Sequence, residues 1–231
     1  MLQLLDADSS AIYNVLRRFN DNTPVFLEIQ NGIFKLFAAD TKKAVSFELT
    51  APAYVPDCFY TVKAGSLKGL FYLLGNKFLD LESAGENIPV YFKRENNRSG
   101  YLQLLPPASC SPENLDFPSN SLEVNARELL TGLKKVRKNN PKLKGFNLTV
   151  EGKHLLLNGA PVSGILKNNG LESISAPDLK EFIFYLTDIL RDNNRDMPGI
   201  KFFPLSIAAT KDAVYLESKY SSNKARFKIK V

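Results

Sequence analysis

The chain has 231 residues, 44% of them hydrophobic and 23% charged, with a formal net charge of +6 and a pI near 9.2. This composition excludes a disordered chain, and no apolar run reaches the ~18 residues of a membrane span, so a soluble globular protein without membrane contact is expected. The charge is uneven: residues 1–115 hold 11 Lys+Arg against 12 Asp+Glu, so the positive excess lies wholly in the remainder and points to a polyanionic partner, nucleic acid first.

From the amino end, Leu2–Leu5 reads as a strand, and Asp8, Ser9 and Ser10 offer N-caps for a helix. Ile12, Val15, Leu16 and Phe19 recur at helical spacing on one face. Asn20–Thr23 ends that helix. Three alternating runs follow, Val25–Ile29, Ile33–Ala38 and Ala44–Leu49, with Asn31-Gly32 as a hairpin signal between the first two. The same grammar then returns. Phe59–Val62 is a strand, Ser66 caps a helix with the stripe Leu67, Leu70, Phe71 and Leu74, and Gly75-Asn76 closes it. Phe78–Leu81, Ile88–Phe92 and Tyr101–Leu105 complete the second repeat.

Four prolines between Pro106 and Pro118 cannot join a sheet interior and mark a linker at 108–118, between domains at 1–107 and 119–231. The third repeat is the cleanest. Leu122–Val124 leads to Asn125 as N-cap and a helix bearing Leu129, Leu130, Leu133 and Val136; the strands are Phe146–Val150, His154–Leu157 and Val162–Leu166, with a tight turn at Glu151-Gly152. The fourth begins at Leu171–Ile174, and Ala176-Pro177 opens its helix, which carries Leu179, Phe182, Leu186, Ile189 and Leu190. Its strands are Ile200–Ala209, with Pro204 as an interruption or an edge, Ala213–Glu217 and Ala225–Val231. The four helical stripes start at Ile12, Leu67, Leu129 and Leu179, spaced by 55, 62 and 50 residues, so one supersecondary unit recurs. The expected class is α+β, two tandem βαβββ-βαβββ domains with the helices on one face of antiparallel sheets.

The usual signatures of catalysis are missing from the sequence. His154, the one histidine, sits in a strand pattern and reads as structural, so no His-dependent nucleophile is indicated. Cys58 and Cys110 fit neither a zinc nor a redox spacing and read as free thiols of a reducing compartment. Phosphate-cradling glycine loops are missing as well, and Asp188 and Asp192 read as a solvated helix face. The reading is of a non-enzyme without metal or cofactor.

The basic residues carry more information. In the third helix, Arg127, Thr131, Lys134, Lys135 and Lys138 lie opposite the apolar stripe, and Arg137, Lys142 and Lys144 continue the cluster. The first helix is expected to expose Arg17 and Arg18, the second Lys68 with Lys77 just beyond, and the fourth Lys180, Arg191 and Arg195 among competing acids. Such faces hold phosphates without reading bases.

On these features the chain resembles the DNA sliding clamps. The segments Leu122-Glu123-Val124-Asn125-Ala126-Arg127-Glu128-Leu129-Leu130 and Ile174-Ser175-Ala176-Pro177-Asp178-Leu179-Lys180-Glu181-Phe182 are similar to the strand-into-helix junctions that recur in that family. The resemblance implies a polymerase processivity factor: a homotrimeric ring, sheets outside and basic helices inside, around double-stranded DNA, with a DNA polymerase and a clamp loader as partners. It implies an intracellular site of action, in a prokaryotic or phage-infected cytoplasm or in a nucleus. It also implies a partner-peptide pocket near Leu115, Phe117, Pro204, Leu205, Phe227 and Ile229. A net basic clamp leaves room for a monomeric, clamp-like DNA-binding factor, and a viral assembly protein is the reading from another class.

Overall fold

A computed structural model of the chain describes residues 1–72, 76–82, 84–92, 99–106, 115–151, 154–162, 165–176, 178–196, 203–220 and 223–230, without the side chains of 6–7, 92, 99, 165–166, 188–196, 219–220 and 223. Outside the described residues lie Leu74, Gly75, Cys110, Gly152, Pro177, Ile200, Val231 and most of the proline-rich linker. Two compact units divide it: residues 1–114 with 221–225, and residues 115–220 with 226–231.

The first unit runs β1 (Leu2–Leu4), α1 (Asp6–Leu16), β2 (Pro24–Gln30), β3 (Ile33–Ala39) and β4 (Lys43–Thr50), then β5 (Cys58–Lys63), α2 (Ala64–Tyr72), β6 (Lys77–Leu79), β7 (Asn87–Phe92) and β8 (Ser99–Gln103). The repeats exchange their first strands. β1 joins the three strands of the second repeat in the order β1-β6-β7-β8, and β5 joins those of the first in the order β4-β3-β2-β5. Every one of these pairings is antiparallel. Asn31 (φ 53) and Gly32 (φ 71) make the β2–β3 hairpin, as two left-handed residues must in a turn that follows the sheet twist. The apolar stripes of the helices, Ile12, Leu16, Leu67 and Phe71 among them, are buried.

Both helices of this unit start earlier than their caps suggest. α1 begins at Asp6, and Asp8 stands at its third position, where Oδ2 accepts from the Leu5 N–H at 2.9 Å. Ser9 is buried inside the helix and does not cap it. α2 begins at Ala64, ahead of Ser66. Its leading N–H groups find backbone acceptors: Ala64 donates to the Thr23 carbonyl and Gly65 to that of Asp21, both at 2.9 Å. A side-chain cap is unnecessary where the preceding loop supplies the carbonyls.

The second unit repeats the plan with β9 (Ser121–Asn125), α3 (Ala126–Asn139), β10 (Phe146–Glu151), β11 (His154–Leu157), β12 (Ala160–Val162) and β13 (Ile165–Asn168), then β14 (Ser173–Ala176), α4 (Leu179–Asp196), β15 (Pro204–Ala209), β16 (Ala213–Tyr220) and β17 (Asn223–Lys230). One sheet has the order β12-β11-β10-β14, and β13-β9-β15-β16-β17 run side by side in another. The stretch expected as one strand, Val162–Leu166, is two: β12 pairs with β11, and β13 pairs with β9 through a bulge. The run thus changes sheets, β13 lying on the flank of β9 opposite β15. Leu171 lies outside its expected strand, held in a turn by Asn168, which accepts from the Leu171 N–H at 2.8 Å and donates to its carbonyl at 3.0 Å. Pro204 opens β15, the strand position that least needs a donor.

The fold is therefore tandem βαβββ-βαβββ, mostly antiparallel, with α1 packed on α2 and α3 on α4.

Candidate nucleic-acid interface

α3 is positioned by its first turn. The Asn125 Oδ1 accepts from the Arg127 N–H at 3.2 Å, as an N-cap should, and from the Phe203 N–H at 3.4 Å. Ala126, Leu129, Leu130 and Leu133 then face the core. The opposite face is left to Thr131, Lys134, Lys135 and Lys138, all exposed. Arg127 is half-buried, its guanidinium 5.0 Å above the Phe203 ring, a stacking arrangement that suits its planar, weakly hydrated cation.

The helix ends in a second basic group. The Asn140 N–H donates to the Val136 carbonyl at 2.9 Å, and the chain turns toward α4, where the Leu179 N–H donates to the Lys144 carbonyl at 2.6 Å. Asp178 stands before α4 and accepts from the Glu181 N–H at 2.8 Å. These ties bring Arg137, Lys142, Lys144 and Lys180 around one cleft of about 300 Å³, with Pro141 and Leu143 in its wall and Asp178 as its one acid among the described lining. Four cations converging on one concavity raise the local potential and attract anions. Lys180 also lies 5.8 Å above the Phe184 ring.

The first unit differs. Arg17 and Arg18 are half-buried at the end of α1. Lys68 does not stand free: its Nζ donates to the Phe19 carbonyl at 3.0 Å and pairs with the Asp21 carboxylate, tying α2 to the loop after α1. Lys77 is fully buried in β6, 5.8 Å from the Phe71 ring, and cannot present an amine to a phosphate. It shares the inward face of β6 with the buried Leu79, two residues on. What α1 and α2 do expose is aromatic: Tyr72 is exposed, with its ring 5.7 Å from that of Tyr13. The side chain of Arg191, and that of Arg195, lie outside the described ones.

The expected peptide pocket is largely core. Leu115, Leu205, Phe227 and Ile229 are buried, since the inward faces of β15 and β17 close over the helix side; Tyr185 on α4 packs against Phe227 at 4.8 Å. Phe117, half-buried and edge-on to Tyr215, and the exposed Pro204 remain at the surface. Two contributors escaped the sequence reading. Phe203 lies 76 residues from the Arg127 it supports, and no local pattern links them. Asp178 was recoverable, because Asp178 followed three residues on by Glu181 is a helix-start signature.

No protein-family model and no curated protein matches the sequence. Solved structures do match in three dimensions. The chain superposes on the A. fulgidus PCNA structure bound to the C-terminal region of FEN-1 with a TM-score of 0.75 at 10% identity, covering 99% of this chain and 97% of that one. A PCNA2–PCNA3 complex from Sulfolobus tokodaii matches with 0.68 at 16% identity, over 99% and 98%. A putative DNA polymerase III beta subunit from Eubacterium rectale matches with 0.72 at 13% identity, where 99% of this chain spans 64% of that one. The chain has the sliding-clamp fold. Within that fold, a group of exposed cations gathers on α3 and its junction with α4. Among the described residues no cluster of His, Cys, Asp or Glu could hold a metal ion, and no helix is long and apolar enough to cross a membrane.

Proposed function

We propose that this chain is a non-catalytic DNA sliding clamp, a processivity factor that holds duplex DNA through sequence-independent phosphate contacts and tethers a replicative polymerase. The observation that carries the reading is the row Lys134, Lys135 and Lys138, exposed on a helix of a clamp fold and continuous with the basic cleft at Arg137, Lys142, Lys144 and Lys180. These groups act as point charges on phosphate oxygens, whose contacts carry no sequence information, so register along the duplex is free. Three two-domain chains give the six domains of a closed ring, with a clamp loader opening it. The decisive experiment compares retention on nicked circular DNA with retention on the same DNA linearised. Retention at high salt on the circle, lost on linearisation, is expected; equal retention on both defeats the topological reading.

A second reading has its own support. Neither α1 nor α2 carries a fully exposed Lys or Arg among the described side chains, so the helix-borne exposed cations described lie on the second unit. A monomeric clamp-like factor gripping DNA through α3 needs no more than that. Sedimentation at micromolar concentration separates the two: a monomer that still raises polymerase processivity favours the second.

A further inference from the structure

The cleft at the α3–β10 turn holds more positive charge than its own residues offset. Arg137, Lys142, Lys144 and Lys180 line it, and Asp178 is the one acid of the described lining. The Asp178 Oδ1 is engaged by the Glu181 N–H, and among the described residues no carboxylate forms an ion pair with any of the four cations. Like charges gathered this way repel one another, and an anion of matching valence relieves them. Backbone bonds hold the walls in place. The Leu143 N–H donates to the Asn140 carbonyl at 3.1 Å, and the Leu179 N–H to the Lys144 carbonyl at 2.6 Å. The concavity therefore stands formed before any ligand arrives, which lowers the cost of binding.

A second cavity, of about 690 Å³, adjoins it. Leu143 belongs to both linings, and Lys144-Gly145 carries the chain from one to the other. Leu143, Phe146 and Ala176 supply its apolar part, Asn147, Asn158 and Ser175 its polar part. The polar groups lean one way. The Asn158 Oδ1 accepts from the Asn147 N–H at 2.8 Å, and the Asn147 Oδ1 accepts from the Ser175 hydroxyl at 2.8 Å. With each oxygen engaged, the amide N–H groups hold most of the remaining capacity, and they are donors. Both cavities thus favour a ligand rich in acceptors: anionic oxygens in one, carbonyls or ring nitrogens in the other.

Ligand chemistries differ in how they meet this demand. Duplex DNA is a convex rod with one charge per ~1.7 Å of axis, able to lie across the mouth of a cleft without filling it. An acidic peptide brings one charge per side chain, so several stems must crowd into about 300 Å³. A phosphate monoester alone carries about 1.5 to 2 negative charges at pH 7, so a short phosphate chain concentrates the valence that the cleft lacks. Arg137 adds a planar fork suited to phosphate oxygens. The adjoining cavity is of small-molecule size and mostly apolar, as a site for a ring system is. We propose that the two cavities together bind a nucleoside di- or triphosphate, with the phosphate chain in the cleft and the base beside Leu143. This goes beyond duplex binding and stands on the two cavities, independent of the clamp reading.

The test is isothermal titration calorimetry on the full chain, without DNA or divalent cations. The ligands are ATP, GTP and inorganic triphosphate, which shares their phosphate chain and lacks the nucleoside. Lys142→Ala with Lys144→Ala removes two exposed cations of the cleft, and Lys42, Lys211 and Lys230 to alanine is the control for charge at exposed positions elsewhere. Circular dichroism verifies folding. Saturable binding of one nucleotide per chain is expected, about fivefold or more tighter than inorganic triphosphate, weakened about tenfold in the cleft variant and changed less than about twofold in the control. No saturable nucleotide binding up to ~5 mM, or equal losses in the two folded variants, overturns the site. Inorganic triphosphate binding as tightly as both nucleotides overturns the place given to the base, and with it the nucleotide. Retention on circular DNA is a separate measurement, so failure of the clamp reading and failure of this site are told apart.

Discussion

Replacing Lys134, Lys135 and Lys138 with alanine tests the α3 surface quantitatively. From the first of the three positions to the last are four residue rises, about 6 Å of axis at ~1.5 Å each. Over that length duplex DNA carries roughly three to four charges, at one per ~1.7 Å, so all three ammonium groups have phosphates within reach. Each neutralised phosphate contributes about 0.9 to the slope of log K against log salt, and removing three contacts lowers the slope by up to ~2.7. Between 50 and 200 mM salt, wild type should then lose about 40-fold more affinity than the variant. All three residues are exposed, so folding should be unaffected within about 0.5 kcal/mol, and alanine is the better helix former. The assay is fluorescence anisotropy of a short labelled duplex across a salt series. The control is Lys42, Lys211 and Lys230 to alanine, an equal charge change at exposed positions elsewhere. If the two triple variants give parallel lines, or the α3 slope falls by less than about 0.9, fewer than one contact has been lost and the assignment of this face is wrong.

Other expectations concern the frame around that face. Arg226 donates from Nε to the buried Glu217 Oε2 at 2.7 Å and from Nη1 to the Leu115 carbonyl at 3.1 Å; Arg226→Ala takes this cation from a buried carboxylate and should cost about 3 kcal/mol in urea unfolding, with Glu217→Gln in the same chain restoring part. In α2, one substitution should have opposite signs at two glycines. A Cβ at Gly65 would meet the Asp21 Cβ at 2.8 Å and its backbone oxygen at 3.2 Å, so Gly65→Ala should destabilise by about 1–2 kcal/mol; a Cβ at Gly69 meets nothing within 4 Å, so Gly69→Ala should gain up to ~1 kcal/mol, both read from thermal melts. Burial, with the Asp57 charge adding and a hydrogen bond from the Ile29 backbone opposing, holds the Cys58 thiol above its ordinary pKa. A raised pKa leaves less thiolate at a given pH, so in a Cys110→Ser chain Cys58 should react with a disulfide reagent at pH 8 more slowly than in the same chain unfolded, the gap narrowing as pH rises. Equal rates at pH 8 would contradict that placement.

The four repeats were legible because the hydrophobic period switches cleanly from 3.6 to 2 in each, and Leu129, Leu130 and Leu133 are buried where the stripe puts them. Helix starts were less legible. Asp8, Ser9, Ser10 and Ser66 have the chemistry of caps, but the leading N–H groups of α2 are met by carbonyls of the Asp21–Thr23 loop, an acceptor that no local pattern announces. The change of sheet between β12 and β13 was hidden because both pieces read as one apolar run. For the site, helical spacing gave the outward face of α3 directly. It could not tell Lys68 and Lys77 from surface lysines, since a partner at Asp21 and a ring at Phe71 are matters of packing between elements. Nor could it tell that Arg137, Lys142, Lys144 and Lys180 share a cleft, which depends on the α3–β10 turn meeting α4 through Lys144 and Leu179.

Asn125 does more than end a strand. Its carboxamide oxygen takes the N–H groups of Arg127 and Phe203, and the Ala126 N–H donates to the Phe203 carbonyl at 2.9 Å, so the root of α3 is bolted to the chain running into β15. A helix turns about 100° with each residue. Winding it from one residue earlier or later would swing Lys134, Lys135 and Lys138 through that same angle and roll Leu129 and Leu133 off the core. An uncharged amide, some 20 Å along the axis from Lys138, thus sets the compass bearing of the whole cationic row.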